Sequence, residues 1–96
     1  MQTFEDAVDE VLRELKETLL KKQADYGHKN ILEFGELGVL VRANDKLARL
    51  RNLMQSQQAA LNEPLEDSWK DLAGYSVIAL MLRRGTFTLP LGRKTK

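Results

Sequence analysis

The first quarter of the chain repeats apolar residues at the three- and four-residue spacing of an amphipathic helix. The stripe consists of Phe4, Val8, Val11, Leu15 and Leu19, widened by Leu12 and Leu20. Thr3, followed three residues later by Asp6, has the form of a capping box, in which two side chains satisfy free backbone N–H groups at a helix start. The pattern predicts a first helix from about residue 4 to about residue 24.

Two further helices are predicted beyond a loop. The segment DYGHKN, residues 25–30, combines a glycine with hydrogen-bonding side chains, so it predicts a loop that closes the first helix at Gly27, followed by a short turn at ILEF. From Glu36 to about Ser56 an apolar stripe predicts the second helix: Leu40, Ala43, Leu47, Leu50 and Met54. Residues 57–63 are polar and predict a connection, and a third helix should run from about Pro64 to Arg84.

The third helix and the tail complete the predicted fold. LAGYSVIALML is apolar nearly all round, so two amphipathic partners can barely enclose it and we expect a homo-oligomer; Trp69 and Tyr75 should lie in the core. TFTLPLGRKTK predicts an extended basic arm that docks on a neighbouring subunit. The expected fold is all-α: a compact bundle of three main helices plus a short turn, as one domain over residues 1–85, with the arm at 86–96.

Composition narrows the class of protein. The 96 residues suffice for one domain, and no run approaches the roughly 18 apolar residues of a membrane span. The N-terminus MQTFEDAVDE is acidic where a signal peptide is basic, so we expect a soluble, cytoplasmic protein. With no cysteine, disulfides, thiolate catalysis and cysteine-type zinc sites are excluded. Residues 72–96 hold five basic and no acidic side chains, but only Phe87 lies near them, and nucleic-acid binding is not expected.

Charged residues on the second helix suggest an anion site. Four of them share one face at offsets of three, four and seven: Arg42, Asp45, Lys46 and Arg49. This pattern fits a solvated face with Asp45 bridging basic neighbours, and equally a site that binds phosphate. His28 is the sole histidine, which excludes a histidine dyad; with Tyr26, Lys29 and Asn30 it forms a loop that could contact a base or phosphate, or be solvated.

Two acidic pairs could hold magnesium. Glu33 and Glu36 lie three apart, and Asp67 and Asp71 four apart, so each pair would project from one side of a helix, as oxygen ligands of Mg²⁺ do. Glu33, Glu36 and Asp67 also suit helix starts, where the dipole favours acids. Asp71 adjoins an apolar run and therefore needs a partner, either a metal or a cation from the stripe: Arg42, Lys46 or Arg49.

Several motifs resemble a known family. DYG at 25–27, FG at 34–35, R-x-x-D-K-x-x-R-L from Arg42 to Leu50 and EDSWKDLAGY from Glu66 to Tyr75 resemble the nucleotide-modification-associated domain family of phages and bacteria, over roughly residues 20–84. That family is distantly similar to MazG-like all-α nucleoside triphosphate pyrophosphatases, which hold magnesium with an ExxE and an ExxD pair. Glu33 and Glu36 match the first pair. Asp71 matches the second, but Ser68 stands three residues before it and Asp67 is one place off.

The resemblance implies a nucleotide ligand and leaves three functions open. The first is a non-catalytic, oligomeric nucleotide-binding protein of phage type, which sequesters a nucleotide such as a cyclic defence signal. Its site would use the Arg/Lys/Asp face of the second helix and the 25–30 loop. The alternative is a magnesium-dependent pyrophosphohydrolase with Glu33, Glu36, Asp67 and Asp71 as ligands. The third is a helical adaptor that binds a protein through the third helix and the arm.

Overall fold

Three helices make up the chain in a computed structural model, which describes residues 2–56 and 62–92. They are α1 (Phe4–Tyr26), α2 (Lys29–Gln55) and α3 (Asn62–Arg84), and the described residues contain no strand. The predicted all-α fold of three main helices is therefore confirmed. The predicted connection lies largely outside the described residues, as does the basic tip of the tail.

The predicted capping box starts α1. The Asp6 amide donates to Thr3 Oγ1 at 3.1 Å, and the Thr3 amide donates to Asp6 Oδ2 at 3.1 Å. The helix ends where the Gly27 N–H donates to the Gln23 carbonyl, with Gly27 at φ 70°. The predicted 25–30 loop therefore shortens to Gly27 and His28, because one glycine at positive φ is enough to end the helix.

Helix α2 begins earlier than predicted and has a kink. Residues 31–34, predicted as a turn, belong to a first helical segment that begins at Lys29. Gly35 then has φ 64° and ψ −151°, a conformation that essentially only glycine adopts. The segment beyond the kink corresponds to the predicted second helix, which starts at Glu36.

The core lies between α2, α3 and the segment that follows α3. Ile31, Val39 and Phe87 are buried together, packed against one face of α3: Tyr75, Ile78, Ala79, Met81 and Leu82. The predicted arm begins with a turn rather than an extended run, since the Thr86 amide donates to the Met81 carbonyl at 2.9 Å. Phe87 thereby packs within its own chain. Docking of the arm on a neighbouring subunit stays a prediction.

Helix α1 is attached less extensively. In its C-terminal half, Leu15, Thr18 and Leu19 line a small cavity together with residues of α3, and none of the described residues of α1 is buried. Trp69 is 50% exposed, so the prediction that it lies in the core is wrong. The apolar periodicity of α3 shows which side chains another helix could cover, but it does not show which of them are covered. Within the described residues, no helix combines the length and hydropathy needed to cross a bilayer.

Candidate functional site

The carboxylate of Asp71 forms an ion pair with one lysine from each of two other helices. Asp71 lies in α3, and its Oδ2 is 2.9 Å from Lys46 Nζ of α2. Its Oδ1 is 3.2 Å from Lys22 Nζ, near the C-terminal end of α1. We call Lys22, Lys46 and Asp71 the lysine–aspartate cluster. It is the point at which charged side chains of all three helices meet.

The cluster is partly shielded from water. The Asp71 side chain is 22% exposed, that of Lys46 30% and that of Lys22 53%. Burial alone would raise the pKa of Asp71, but the hydrogen bonds and positive charges of Lys46 and Lys22 outweigh it and hold the pKa below its ordinary value. Asp71 is therefore ionised at neutral pH, and the cluster carries a net charge of +1.

Small residues let α1 approach α3 beside the cluster. A Cβ added to Gly74 would lie 3.5 Å from Leu19 Cδ2, an ordinary contact distance, so the two helices are close there. Lys70, next to Asp71 in sequence, pairs with Glu14 of α1 at 3.3 Å. Among the described residues, two ion pairs thus join α1 to α3, one of them through the cluster.

An apolar groove lies between α2 and α3. Its volume is about 420 Å³, and its walls comprise Glu36, Leu37, Val39, Leu40, Ala43, Tyr75, Ser76 and Ala79. Tyr75 borders both this groove and the small cavity beside Lys22 and Asp71. On α2, Lys46 lies one turn beyond Ala43, so the cationic cluster adjoins the end of the groove. At the groove's other end, Glu36 Oε2 accepts a hydrogen bond from Arg83 Nε at 2.9 Å.

The four charged residues of the α2 stripe differ in their exposure and in their partners. Lys46 points to Asp71, which confirms that a cation of this stripe pairs with that carboxylate. Arg42 is half-buried, while Asp45 and Arg49 are exposed. Within residues 2–56 and 62–92, neither Asp45 nor the two arginines form an ion pair, so the predicted bridging by Asp45 does not occur.

The loop residues predicted to contact a nucleotide lie at the junction of α1 and α2. Tyr26 belongs to α1, His28 precedes α2 without a side-chain capping bond, and Lys29 and Asn30 begin α2. Asn30 and Lys46 are sixteen positions apart in sequence, and the kink at Gly35 lies between them. In the described part of the chain no side-chain hydrogen bond connects the loop with the stripe.

The four carboxylates predicted to bind magnesium are not gathered in one place. Glu36 pairs with Arg83, Asp71 pairs with two lysines, and Glu33 and Asp67 are exposed. The described residues contain no group of three or more acidic or histidine side chains arranged to hold a metal. Magnesium binding stays a prediction from the sequence.

Lys22 is the cluster member that the sequence pattern did not single out. Together with Lys21 it suits the C-terminal end of α1, where the helix dipole favours cations, so its position had a sufficient local explanation. The two lysines nonetheless differ. Lys21 pairs with Asp25 of its own helix at 3.5 Å, whereas Lys22 reaches across to α3. Spacing within one helix does not show which lysine faces a neighbouring helix.

The comparisons with known proteins identify one family. The family described as nucleotide modification associated domain 1 matches residues 22–82, which is more than half of the chain. The match begins at Lys22 and includes Lys46, Asp71 and the residues that line the groove. Neither the curated proteins nor the solved structures gave a match. The match over residues 22–82 shows that the chain belongs to the nucleotide modification associated domain 1 family.

Proposed function

We propose that this protein binds a nucleotide between α2 and α3, with the phosphates at the lysine–aspartate cluster and the base in the adjoining groove. The observation that carries the proposal is the convergence of Lys22 and Lys46, from different helices, at the end of an apolar groove of about 420 Å³. Ligand sites typically combine such an apolar cleft with a few placed polar groups. The family description, which concerns nucleotides, agrees with this ligand class.

The cationic end suits a phosphate group. Asp71 holds the two lysine ammonium groups in place, so less side-chain entropy is lost when an anion binds between them. Arg42 lies one turn before Lys46 on α2 and is half-buried, and Arg49 lies one turn after it. Both guanidinium groups are within the described part of the chain and free of ion pairs there, so they can add charge-assisted hydrogen bonds to further phosphate oxygens.

The apolar end suits a base. The groove walls are mostly aliphatic, and Tyr75 supplies an aromatic ring where the groove meets the cluster. The Glu36 carboxylate at the far end is a hydrogen-bond acceptor for an exocyclic amino group. A nucleotide lying along the two helices would therefore bury its base and leave its phosphates among the cations.

The ion pairs made by the predicted magnesium ligands favour binding without hydrolysis. Two of the four predicted magnesium ligands are engaged in ion pairs with basic side chains, Glu36 with Arg83 and Asp71 with the two lysines. A carboxylate that neutralises lysine is less available to a metal, since the two cations compete for the same oxygens. We therefore propose a binding protein that holds its nucleotide intact.

A thermal-shift panel of nucleoside mono-, di- and triphosphates and cyclic nucleotides, with and without magnesium, tests this function. A ligand at about 100 times its Kd stabilises the folded state by about 2.7 kcal/mol, which raises Tm by roughly 10 to 20 °C in a chain of this size. Mass spectrometry of the recovered ligand should find it unchanged. A monophosphate recovered from a triphosphate would instead establish pyrophosphohydrolysis, and no shift with any nucleotide would refute the proposal.

A further inference from the structure

One end of the apolar groove carries a charged hydrogen-bonding pair. Glu36 of α2 lines the groove, and its Oε2 accepts a hydrogen bond from Arg83 Nε of α3 at 2.9 Å. Within the described part of the chain, the second carboxylate oxygen, Oε1, has no hydrogen-bond partner, and neither do the Nη groups of Arg83. An acceptor and a set of donors therefore lie side by side at this end of the groove.

The other groove walls offer little that distinguishes one base from another. Of the described residues that line the groove, Glu36 alone is charged. Ser76 Oγ donates to the Leu72 carbonyl of its own helix at 3.3 Å, so its proton is already used. Aliphatic walls and the ring of Tyr75 contact every base in the same way, because every base has an apolar face. Discrimination between bases in this groove therefore depends on Glu36 and Arg83.

The exposure of the pair determines what it contributes. The Glu36 side chain is 47% exposed and that of Arg83 is 70% exposed, so water solvates both groups when the groove is empty. A base that matches the pair replaces those bonds to water, whereas a base that does not match leaves a carboxylate desolvated without a partner. The pair therefore affects which base is accepted more than how tightly nucleotides bind in general.

The hydrogen-bonding edges of the bases differ in how they fit this pair. Guanine has two adjacent donors, N1–H and the N2 amino group, beside the acceptor O6. A carboxylate accepts both donors at once, and a neighbouring guanidinium donates to O6. Adenine and cytosine offer one amino group beside a ring-nitrogen acceptor, and uracil offers one N–H between two carbonyls, so each gives the carboxylate one hydrogen bond instead of two. Guanine is therefore the best match for a carboxylate beside a guanidinium.

We propose that Glu36 and Arg83 select guanine nucleotides. The Glu36 carboxylate accepts from N1–H and the N2 amino group of the base, and the Arg83 guanidinium donates to O6. This selection rests on the proposed function, because it requires the base to lie in the groove, but it does not depend on where the phosphates bind. It makes Glu36 a specificity-determining residue, whereas the sequence pattern assigned its carboxylate to magnesium.

Calorimetric titration of the full chain with GMP, IMP, XMP and AMP, without magnesium, tests the selection. IMP lacks only the N2 amino group of GMP, and XMP has a carbonyl oxygen in its place. The protein should bind GMP about tenfold more tightly than IMP, because a good bidentate contact discriminates between bases by about this factor or more. XMP should bind more weakly than IMP, since its additional carbonyl would face the carboxylate. Equal affinities for GMP, IMP and AMP would overturn the selection and leave nucleotide binding intact, whereas no binding of any nucleotide would refute the proposed function itself.

Glu36→Gln should reverse the preference at nearly constant side-chain size. Glutamine keeps one acceptor and replaces the other with an amino donor, which matches the additional carbonyl of xanthine and opposes the N2 amino group of guanine. The variant should therefore bind GMP about tenfold more weakly than wild type and XMP more tightly. Glu33→Gln is the matched control, because Glu33 is exposed and forms no ion pair within the described residues, and it should keep the wild-type ranking. A general loss of folding would weaken all four nucleotides together and is detected by circular dichroism, so an unchanged ratio of GMP to XMP affinity in folded Glu36→Gln would overturn the proposal.

Discussion

Replacing Asp71 by Asn removes the charge on which Lys22 and Lys46 converge while keeping the side-chain volume. Hydrogen bonds to charged groups contribute about 1.5 to 3 kcal/mol, but exposed ion pairs contribute only about 0.2 to 1 kcal/mol. The bond to Lys46 is the more shielded of the two, and Lys22 is half exposed. Desolvation of Asp71 offsets part of the gain, so the substitution should lower the free energy of unfolding by about 1 to 2 kcal/mol at neutral pH.

The same pair of lysines fixes how this loss depends on pH. The folded-state pKa of Asp71 is lowered, so its contribution is fully present above the unfolded-state pKa of about 3.9 and disappears as pH falls through the folded-state value. Urea unfolding of both proteins should show the full difference at about pH 7 and a shrinking one below about pH 4. At neutral pH the difference corresponds to a Tm decrease of roughly 4 to 16 °C.

Asp25→Asn is the matched control, because it breaks an ion pair with Lys21 that lies within α1 and is exposed on both sides. This control should change stability by no more than about 0.5 kcal/mol at any pH. A difference between wild type and Asp71→Asn that stays constant from neutral to acid pH would refute the electrostatic explanation. So would an Asp25→Asn effect of equal size.

Three further predictions concern the fold. Gly35→Ala should destabilise the fold by about 1 to 3 kcal/mol, because Gly35 has φ 64° and ψ −151°. Gly74→Ala should be neutral or stabilising, because Gly74 is helical and an added Cβ would meet Leu19 at an ordinary contact distance. Thermal unfolding compares the two variants. Phe87→Ala should lower the free energy of unfolding in urea by about 3 to 5 kcal/mol, since Phe87 is 6% exposed. Leu89→Ala, at a position that is 63% exposed, should lower it by less than about 0.5 kcal/mol. Equal losses would contradict the packing of Phe87. Thr3→Ala should lose about 1 kcal/mol and reduce amide protection in the first turn of α1, and unchanged hydrogen exchange there would contradict the capping role.

Local signals in the sequence predicted the helices well. The capping box predicted a start of α1 at about residue 4, and the helix begins at Phe4. Gly27 marked its end, because a glycine at positive φ can end a helix without any tertiary contact. Gly35 gave no such clear signal. A glycine between two helical patterns is compatible with a loop as well as with a kink. Ile31 and Val39, one on each side of Gly35, pack into the same core, and this tertiary contact is absent from the local pattern.

Interactions between helices were predicted less completely. An ionised Asp71 beside an apolar run requires a partner, and that argument left either a metal or a cation of the α2 stripe as the candidate; Lys46 of the stripe pairs with it. The argument could not choose Lys46 over the arginines or add Lys22, because relative helix rotation sets those contacts. For the same reason it did not reveal that Glu36 pairs with Arg83 or that Trp69 stays exposed.

The most direct test of nucleotide binding at the cluster is calorimetric titration of three proteins with the nucleotide that stabilises the wild type most. The double variant Lys22→Met/Lys46→Met removes both cations, and Lys21→Met removes a neighbouring cation that pairs only within α1 in the described part of the chain. At about 1.4 kcal/mol per tenfold in Kd, losing two charge-assisted hydrogen bonds should weaken binding by at least a hundredfold, whereas Lys21→Met should bind like wild type. Equal affinities for all three proteins would contradict a phosphate site at Lys22 and Lys46.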